Sequence, residues 1–181
     1  ALGAQLGESG FSACTGTLIT PRIVLSAAHC GGDLPPDLIL QVGKAFFGTS
    51  VQDTEAVIGF EDFVIHPDYV ELDSSVGGTR GSNDFGLLVL SESAPVQPIF
   101  FNSEEMTEEW IGEEIISVGF GITGADQNDS GTKRSAFLTV SALEQMFVIV
   151  NNADNENSAN ICSGDSGGSQ MYFDTEIDQW V

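Results

Sequence analysis

Short apolar runs bounded by Gly, Pro, Asn, Asp and Ser dominate this sequence, and helical periodicity is weak almost everywhere. The runs are rich in Val, Ile, Leu and Phe, which favour strands, and the 21 glycines suit the tight turns between strands. The pattern predicts an all-β chain. The clearest predicted strands are Gly16–Ile19, Ile23–Ala27, Leu38–Val42, Ala56–Ile65, Phe85–Leu90, Ile115–Phe120, Ala136–Leu143 and Met146–Val150.

The predicted strands fall into two groups on either side of a connection that contains Pro95 and Pro98. We therefore predict two successive β units, residues 1–100 and residues 101–181. Within the second unit, Ser103–Gly112 fits either one helical turn capped by Ser103 or a loop. Residues 151–160, NNADNENSAN, are predicted to form a polar loop.

The net charge narrows the range of partners. Five Lys and Arg residues against 27 Asp and Glu residues give a formal charge of -22. Such a surface repels phosphate backbones and anionic membranes, so we expect neither nucleic-acid nor membrane binding. The acidity favours solubility, and attraction of basic substrates is the alternative. No apolar run of about 18 residues predicts a membrane span.

The chain has an odd number of cysteines, Cys14, Cys30 and Cys162, so they cannot all pair with one another. A bridge between Cys14 and Cys30, which flank a strand-like run, would stabilise the fold by about 3 kcal/mol in the chain-entropy model. Cys162 would then be a free thiol or pair with a residue beyond Val181. The opening segment lacks the charged and apolar regions of a signal peptide, so we expect an upstream segment.

The pentapeptide Gly164–Gly168, GDSGG, is the strongest candidate for chemistry. A nucleophilic serine needs a hydroxyl that protrudes from a tight turn, backbone N–H groups facing the developing oxyanion, and a base that takes its proton. The flanking glycines permit such a turn and leave room for substrate. Ser166 is therefore the candidate nucleophile, and an ordinary Gly/Ser/Asp turn is the alternative.

A histidine and an aspartate supply the other candidate groups. His29 ends an apolar strand beside the small residues Ala27 and Ala28, although a single histidine at a strand end is often structural. Asp84 precedes an apolar strand, where its charge needs a donor such as a histidine N–H; a turn aspartate is the alternative. His66, followed by a proline, is interpreted as a turn residue.

The order His29, Asp84, Ser166 is that of the chymotrypsin arrangement. Five segments in succession resemble the signatures of trypsin-like serine proteases, and the resemblance covers nearly the whole chain. These segments are GTLITPRIVLSAAHC (Gly16–Cys30), IHPDY (Ile65–Tyr69), NDFGLLVL (Asn83–Leu90), SVGFG (Ser117–Gly121) and CSGDSGGS (Cys162–Ser169).

This resemblance implies two six-stranded antiparallel Greek-key β-barrels, the second incomplete in this chain. It implies a secreted, monomeric serine endopeptidase that acts on polypeptides and needs no cofactor. Ser166 would be the nucleophile, His29 the general base and acid, and Asp84 the orienting carboxylate. The backbone N–H groups of Gly164 and Ser166 would form the oxyanion hole.

The resemblance assigns further roles. Cys14 and Cys30 match the disulfide beside the histidine, and Cys162 matches a cysteine whose partner lies downstream. Asp165 matches the carboxylate that pairs with a new N-terminal ammonium after zymogen cleavage. Asn160 matches the base of the primary specificity pocket, where it brings no charge to favour Lys or Arg in the substrate.

Two open expectations follow. Because family members extend beyond both ends of this match, we expect a fragment truncated at both ends; the alternative is a divergent protein without those parts. A non-catalytic homologue that serves as a binding module is the alternative to an enzyme.

Some family members bind calcium in a first-domain loop, but no recognised calcium loop is present, so we predict no metal site. The acidic residues in that region are Asp53, Glu55, Glu61 and Asp62.

Overall fold

The computed structural model describes residues 1–6, 9–31, 34–70, 82–144, 147–151 and 160–181. Strands dominate these residues, which confirms the all-β class. The strands are β1 (Leu2–Leu6), β2 (Ser9–Cys14), β3 (Thr17–Thr20), β4 (Ile23–Ser26), β5 (Gly43–Ser50), β6 (Asp53–Ile65), β7 (Gly86–Leu90), β8 (Glu114–Gly119), β9 (Arg134–Glu144), β10 (Phe147–Asn151), β11 (Gln170–Met171), β12 (Phe173–Asp174) and β13 (Gln179–Trp180).

The described strands pair antiparallel in three sheets. A seven-stranded sheet has the order β2-β1-β5-β6-β7-β4-β3, a four-stranded sheet has the order β10-β9-β8-β11, and β12 pairs with β13. In the larger sheet, β4 and β7 run from the pair Ile23 and Val89 to the pair Ser26 and Gly86. The end of β4 therefore lies beside the start of β7.

Each of the two larger sheets has an apolar core of its own. In the seven-stranded sheet, buried side chains alternate along β7, and Leu90 has no exposed surface. Around the four-stranded sheet, Leu138 and Val140 are buried against Ile115. Removing this apolar surface from water is the main contribution to the stability of both sheets.

The strand predicted at Leu38–Val42 is wrong, because the segment lies in the helix α1, Pro36–Val42. A short apolar run does not by itself distinguish a strand from a buried helical turn. The deciding local features are a proline in the first turn, where its missing N–H costs no hydrogen bond, and the favourable charge of Asp37 near the helix start.

Two other predicted segments differ from the structure or lie outside it. The helical turn within residues 103–112 is a 3₁₀ turn over Glu108–Trp110, preceded by Thr107 rather than capped by Ser103. Residues 152–159, most of the predicted polar loop, and Met146 lie outside the described residues. No helix in the described part of the chain is long and apolar enough to cross a bilayer.

Replacing Leu90 with alanine should lower the free energy of unfolding by about 2–5 kcal/mol, because it leaves a cavity in the fully buried core. Urea denaturation of the purified protein measures the change. Leu34→Ala is the matched control, since Leu34 is 52% exposed and should cost about 0.5 kcal/mol or less. Equal losses in the two variants would contradict the assignment of the core.

Candidate active site

The pairing of β4 with β7 brings His29 and Asp84 together. His29 lies in the 3₁₀ turn Ala28–Gly31 just after β4, and Asp84 lies just before β7. Asp84 Oδ2 is 2.7 Å from His29 Nδ1, and Asp84 Oδ1 accepts the backbone N–H of His29 at 2.9 Å. Since one carboxylate holds both the ring and the backbone, the imidazole has a defined orientation.

The chemistry of this pair follows from which groups donate. An ionised carboxylate only accepts hydrogen bonds, so Nδ1 of His29 carries the hydrogen that faces Asp84. In a neutral imidazole, Nε2 then lacks a hydrogen and is available to accept a proton. The His29 and Asp84 side chains are 23% and 19% exposed, so the pair is partly shielded from water.

A disulfide fixes the turn that carries His29. Cys14, the last residue of β2, is bonded to Cys30, with 6.1 Å between the Cα atoms. The pairing implied by the family resemblance is therefore confirmed. Cys162 is half-buried and has no disulfide partner among the described residues.

The loop that carries Ser166 is built from two consecutive tight turns. The N–H of Asp165 donates to the carbonyl of Cys162 at 3.1 Å, and the N–H of Gly168 donates to the carbonyl of Asp165 at 2.9 Å. Gly167 has a φ of 77°, a conformation that other residues rarely adopt. The residue types of GDSGG thus produce the sharp turn that the sequence predicts.

Ser166 is held next to the histidine turn by its own carbonyl. This oxygen accepts the N–H of Thr15 at 2.8 Å and lies 3.7 Å from Cys30 Sγ. Because Cys30 directly follows His29, the structure brings Ser166, His29 and Asp84 into one region, although Ser166 is 82 positions from Asp84 and 137 positions from His29 along the chain.

Two peptide groups of the Ser166 loop are hydrogen-bonded through their carbonyls, and their N–H groups point away from those bonds. The carbonyl of Ser163 accepts the N–H of Ile122 at 2.9 Å, and the carbonyl of Asp165 is held by Gly168. The N–H and C=O of a trans peptide point in opposite directions, so the N–H groups of Gly164 and Ser166 face the other side. Neither donates to a protein acceptor within the described residues.

Asp165 lies under this loop with both carboxylate oxygens occupied. Oδ1 accepts the N–H of Gly121 at 2.7 Å, and Oδ2 accepts the N–H of Cys162 at 2.9 Å. A Cβ atom at position 121 would lie 2.6 Å from the Asp165 carboxyl carbon, so the approach requires a glycine. The pairing of Asp165 with a new N-terminal ammonium stays a prediction.

Asn160 borders an open cleft of about 450 Å³ that Asp165 and Cys162 also line. The Asn160 side chain is exposed, and its oxygen accepts the N–H of Ile161 at 2.8 Å. The structure thus places Asn160 near the Ser166 loop and adds no charge at that position.

The sequence reasoning missed two buried hydroxyl groups at this site. Thr15 and Ser26 are each 3% exposed, and the Ser26 hydroxyl donates to the carbonyl of Thr15 at 2.7 Å. The Thr15 hydroxyl contacts the backbone of Phe120 and Gly164. Only the position of Ser26 beside the His29 motif is a sequence signal, since the partners of Thr15 lie far along the chain.

The cluster of Cys14, His29 and Cys30 is not a plausible metal site. Cys14, His29 and Cys30 lie within 4.8 Å of one another, but the two sulfurs are joined in the disulfide and offer no thiolate. Of the acidic residues considered for calcium, Glu61 pairs with Arg22.

Comparison with known proteins matches residues 3–177 to the family model described as Trypsin. This chain belongs to the trypsin family. The match includes all the segments that define the site and, apart from Leu2, both larger sheets.

Curated relatives of this trypsin-family chain include vitamin K-dependent protein C of Rattus norvegicus, 28% identical over 182 residues, which covers 89% of this chain and 37% of that protein. CLIP domain-containing serine protease B10 of Anopheles gambiae is 28% identical over 197 residues, covering 93% of this chain and 52% of that protein. The chain thus spans about half or less of these relatives. A protein described as inactive CLIP domain-containing serine protease A28, also of Anopheles gambiae, is 32% identical over 67% of this chain and 31% of its own length.

Gly167→Ala should destabilise this trypsin-family domain more than Gly112→Ala. Both glycines have positive φ, at 77° and 96°, so both alanines incur about 1–2 kcal/mol of backbone strain. A Cβ at position 167 would also lie 2.1 Å from Ser26 Oγ, whereas one at position 112 meets nothing within 4 Å. The overpacking should add about 1–3 kcal/mol.

Urea denaturation of the two variants measures this difference. If Gly167→Ala and Gly112→Ala lose the same free energy of unfolding, the close packing of the Ser166 loop against Ser26 is wrong.

Proposed function

We propose that this chain is the catalytic domain of a secreted serine endopeptidase that hydrolyses peptide bonds through an acyl-enzyme. The observation that carries the proposal is the His29–Asp84 pair, whose Nδ1–Oδ2 distance is 2.7 Å, beside the loop of Ser166. An oriented imidazole next to a serine on a tight turn is the arrangement that activates a hydroxyl. Membership of the trypsin family supports a polypeptide substrate.

In the first half-reaction, Ser166 Oγ attacks the scissile carbonyl carbon, and His29 Nε2 takes the hydroxyl proton. Asp84 stabilises the resulting imidazolium without becoming protonated. The carbonyl oxygen, now an oxyanion, accepts hydrogen bonds from the backbone N–H groups of Gly164 and Ser166. The C–N bond breaks as His29 returns the proton to the leaving amine, which leaves an acyl group on Ser166.

In the second half-reaction, a water molecule takes the place of the amine. His29 removes its proton as it attacks the acyl carbon, and the ester bond to Ser166 breaks. His29 then returns the proton to Ser166 Oγ and the carboxylic acid product leaves. No step requires a metal or a cofactor.

The remaining assignments rest on the same site. We assign Asp165 as the carboxylate that a newly formed N-terminal ammonium would contact, with Asn160 as an uncharged residue of the specificity pocket. The separate cores of the two larger sheets support two β-barrel units, residues 1–100 and 101–181. The Cys14–Cys30 disulfide supports an extracellular location, since disulfides persist in oxidising compartments.

A non-catalytic binding module is the second candidate. The observation in its favour is the relative described as an inactive serine protease. This chain retains a histidine, an aspartate and a serine at the three positions, which favours catalysis. Reactivity of Ser166 distinguishes the two candidates.

Fluorophosphonate labelling of the full-length protein, after proteolytic activation, should give a single adduct on Ser166. Intact mass and peptide mapping measure it. Ser166→Ala should remove both the adduct and peptide hydrolysis, since it removes the hydroxyl group that we assign as the nucleophile. If the folded and processed protein does not react with the fluorophosphonate, the binding module becomes the assigned function.

Asp84→Asn should lower kcat by about 10⁴, because an amide at this position favours the wrong tautomer of His29. Steady-state hydrolysis of a peptide substrate measures the effect. Asp53→Asn is the matched control, because Asp53 is an exposed residue of β6 and the substitution should leave kcat unchanged. Similar kcat values for the two variants would refute the role of Asp84.

A further inference from the structure

Thr15 connects three segments of the proposed active site. It directly follows β2, is 3% exposed, and its N–H donates to the carbonyl of Ser166 at 2.8 Å. Its carbonyl accepts the hydroxyl of Ser26 at 2.7 Å. The backbone of Thr15 is therefore fixed between the histidine strand and the serine loop, which leaves its side chain a defined position.

The Thr15 hydroxyl makes two hydrogen bonds with assigned directions. It accepts the N–H of Phe120 at 3.0 Å, so its own hydrogen is free to donate to the carbonyl of Gly164 at 2.9 Å. Phe120 directly follows β8, whereas Gly164 lies in the serine loop. One hydroxyl group thus joins a strand end to the residue whose N–H we assign to the oxyanion hole.

The peptide after Gly164 is held on both sides. Its C=O accepts the Thr15 hydroxyl, and its N–H, that of Asp165, donates to the carbonyl of Cys162 at 3.1 Å. The peptide before Gly164 is held through the carbonyl of Ser163 by Ile122 at 2.9 Å. Gly164 has a φ of 96° and no Cβ, so these contacts, rather than its own sterics, limit its rotation.

We propose that Thr15 is a positioning residue of the oxyanion hole, whose hydroxyl keeps the Gly164 N–H aimed at the developing oxyanion. The inference rests on the proposed endopeptidase function. Without the hydroxyl, the Gly164 carbonyl loses its partner, and only the contacts of Ser163 and Asp165 still hold the two peptides that flank Gly164. The direction of the Gly164 N–H is then less restricted. Substrate binding elsewhere does not depend on this N–H, so the loss falls on the transition state.

Two substitutions distinguish the contribution of the Thr15 hydroxyl from that of its methyl group. The Thr15 methyl group packs near Gly168, where a Cβ would lie 3.2 Å from Thr15 Cγ2. Thr15→Val keeps the shape and removes the hydroxyl, whereas Thr15→Ser keeps the hydroxyl and removes the methyl group. Thr15→Ala removes both groups and serves if the valine variant does not fold.

The test measures kcat and KM for a peptide amide substrate with the full-length, activated protein. Thr15→Val, and Thr15→Ala, should lower kcat by about 10- to 100-fold with KM nearly unchanged, somewhat less than the 10²–10³ cost of deleting a hole donor. Thr15→Ser should remain within about threefold of the unsubstituted protein. A peptidyl trifluoromethyl ketone, whose adduct carries an oxyanion, should bind the valine variant more weakly by a similar factor.

The outcomes are distinguishable. Unchanged kcat in folded Thr15→Val or Thr15→Ala overturns the inference and leaves the endopeptidase function intact. An equal fall in the serine and valine variants also overturns it, because packing of the methyl group would then be responsible. Hydrolysis by the unsubstituted protein that equals that of Ser166→Ala overturns the proposed function and this inference with it.

Discussion

The antiparallel pairing of β4 with β7 is the constraint on which the candidate site depends. An antiparallel pair places the end of one strand beside the start of the other, here Ser26 beside Gly86. His29 follows the first strand and Asp84 precedes the second, so their contact requires no long loop to close at the site. The Cys14–Cys30 disulfide then holds the same edge against β2.

Backbone hydrogen bonds organise the rest of the site. The Ser166 loop contacts Thr15 through the carbonyls of Ser166 and Gly164, and it contacts the segment after β8 through Asp165 and Ser163. Thr15 is buried, and an unpaired buried polar group costs about 1–3 kcal/mol. In the described part of the chain, every buried side-chain nitrogen and oxygen has a partner. The polar contacts therefore specify one arrangement of the loop.

Much of the fold was predictable because strand-forming residues alternate with turn residues along the chain. The run Phe85–Leu90 corresponds to β7, and Ala136–Leu143 lies within β9. Leu38–Val42 was mispredicted, since a short apolar run fits a strand and a helical turn equally well. The disulfide also followed from the resemblance. The roles of Thr15 and Ser26 did not, because the residue type alone does not show which group a hydroxyl will contact in the folded protein.

The sequence by itself determined the all-β class and the chemical groups of the site. A serine between glycines, a histidine at a strand end and an aspartate before a strand are local features. Only the tertiary structure decided which groups touch: the 2.7 Å contact of His29 with Asp84 and the placement of Thr15 between Phe120 and Gly164. These contacts join residues far apart in the chain, and their geometry depends on which strands pair and on how the loops pack against them.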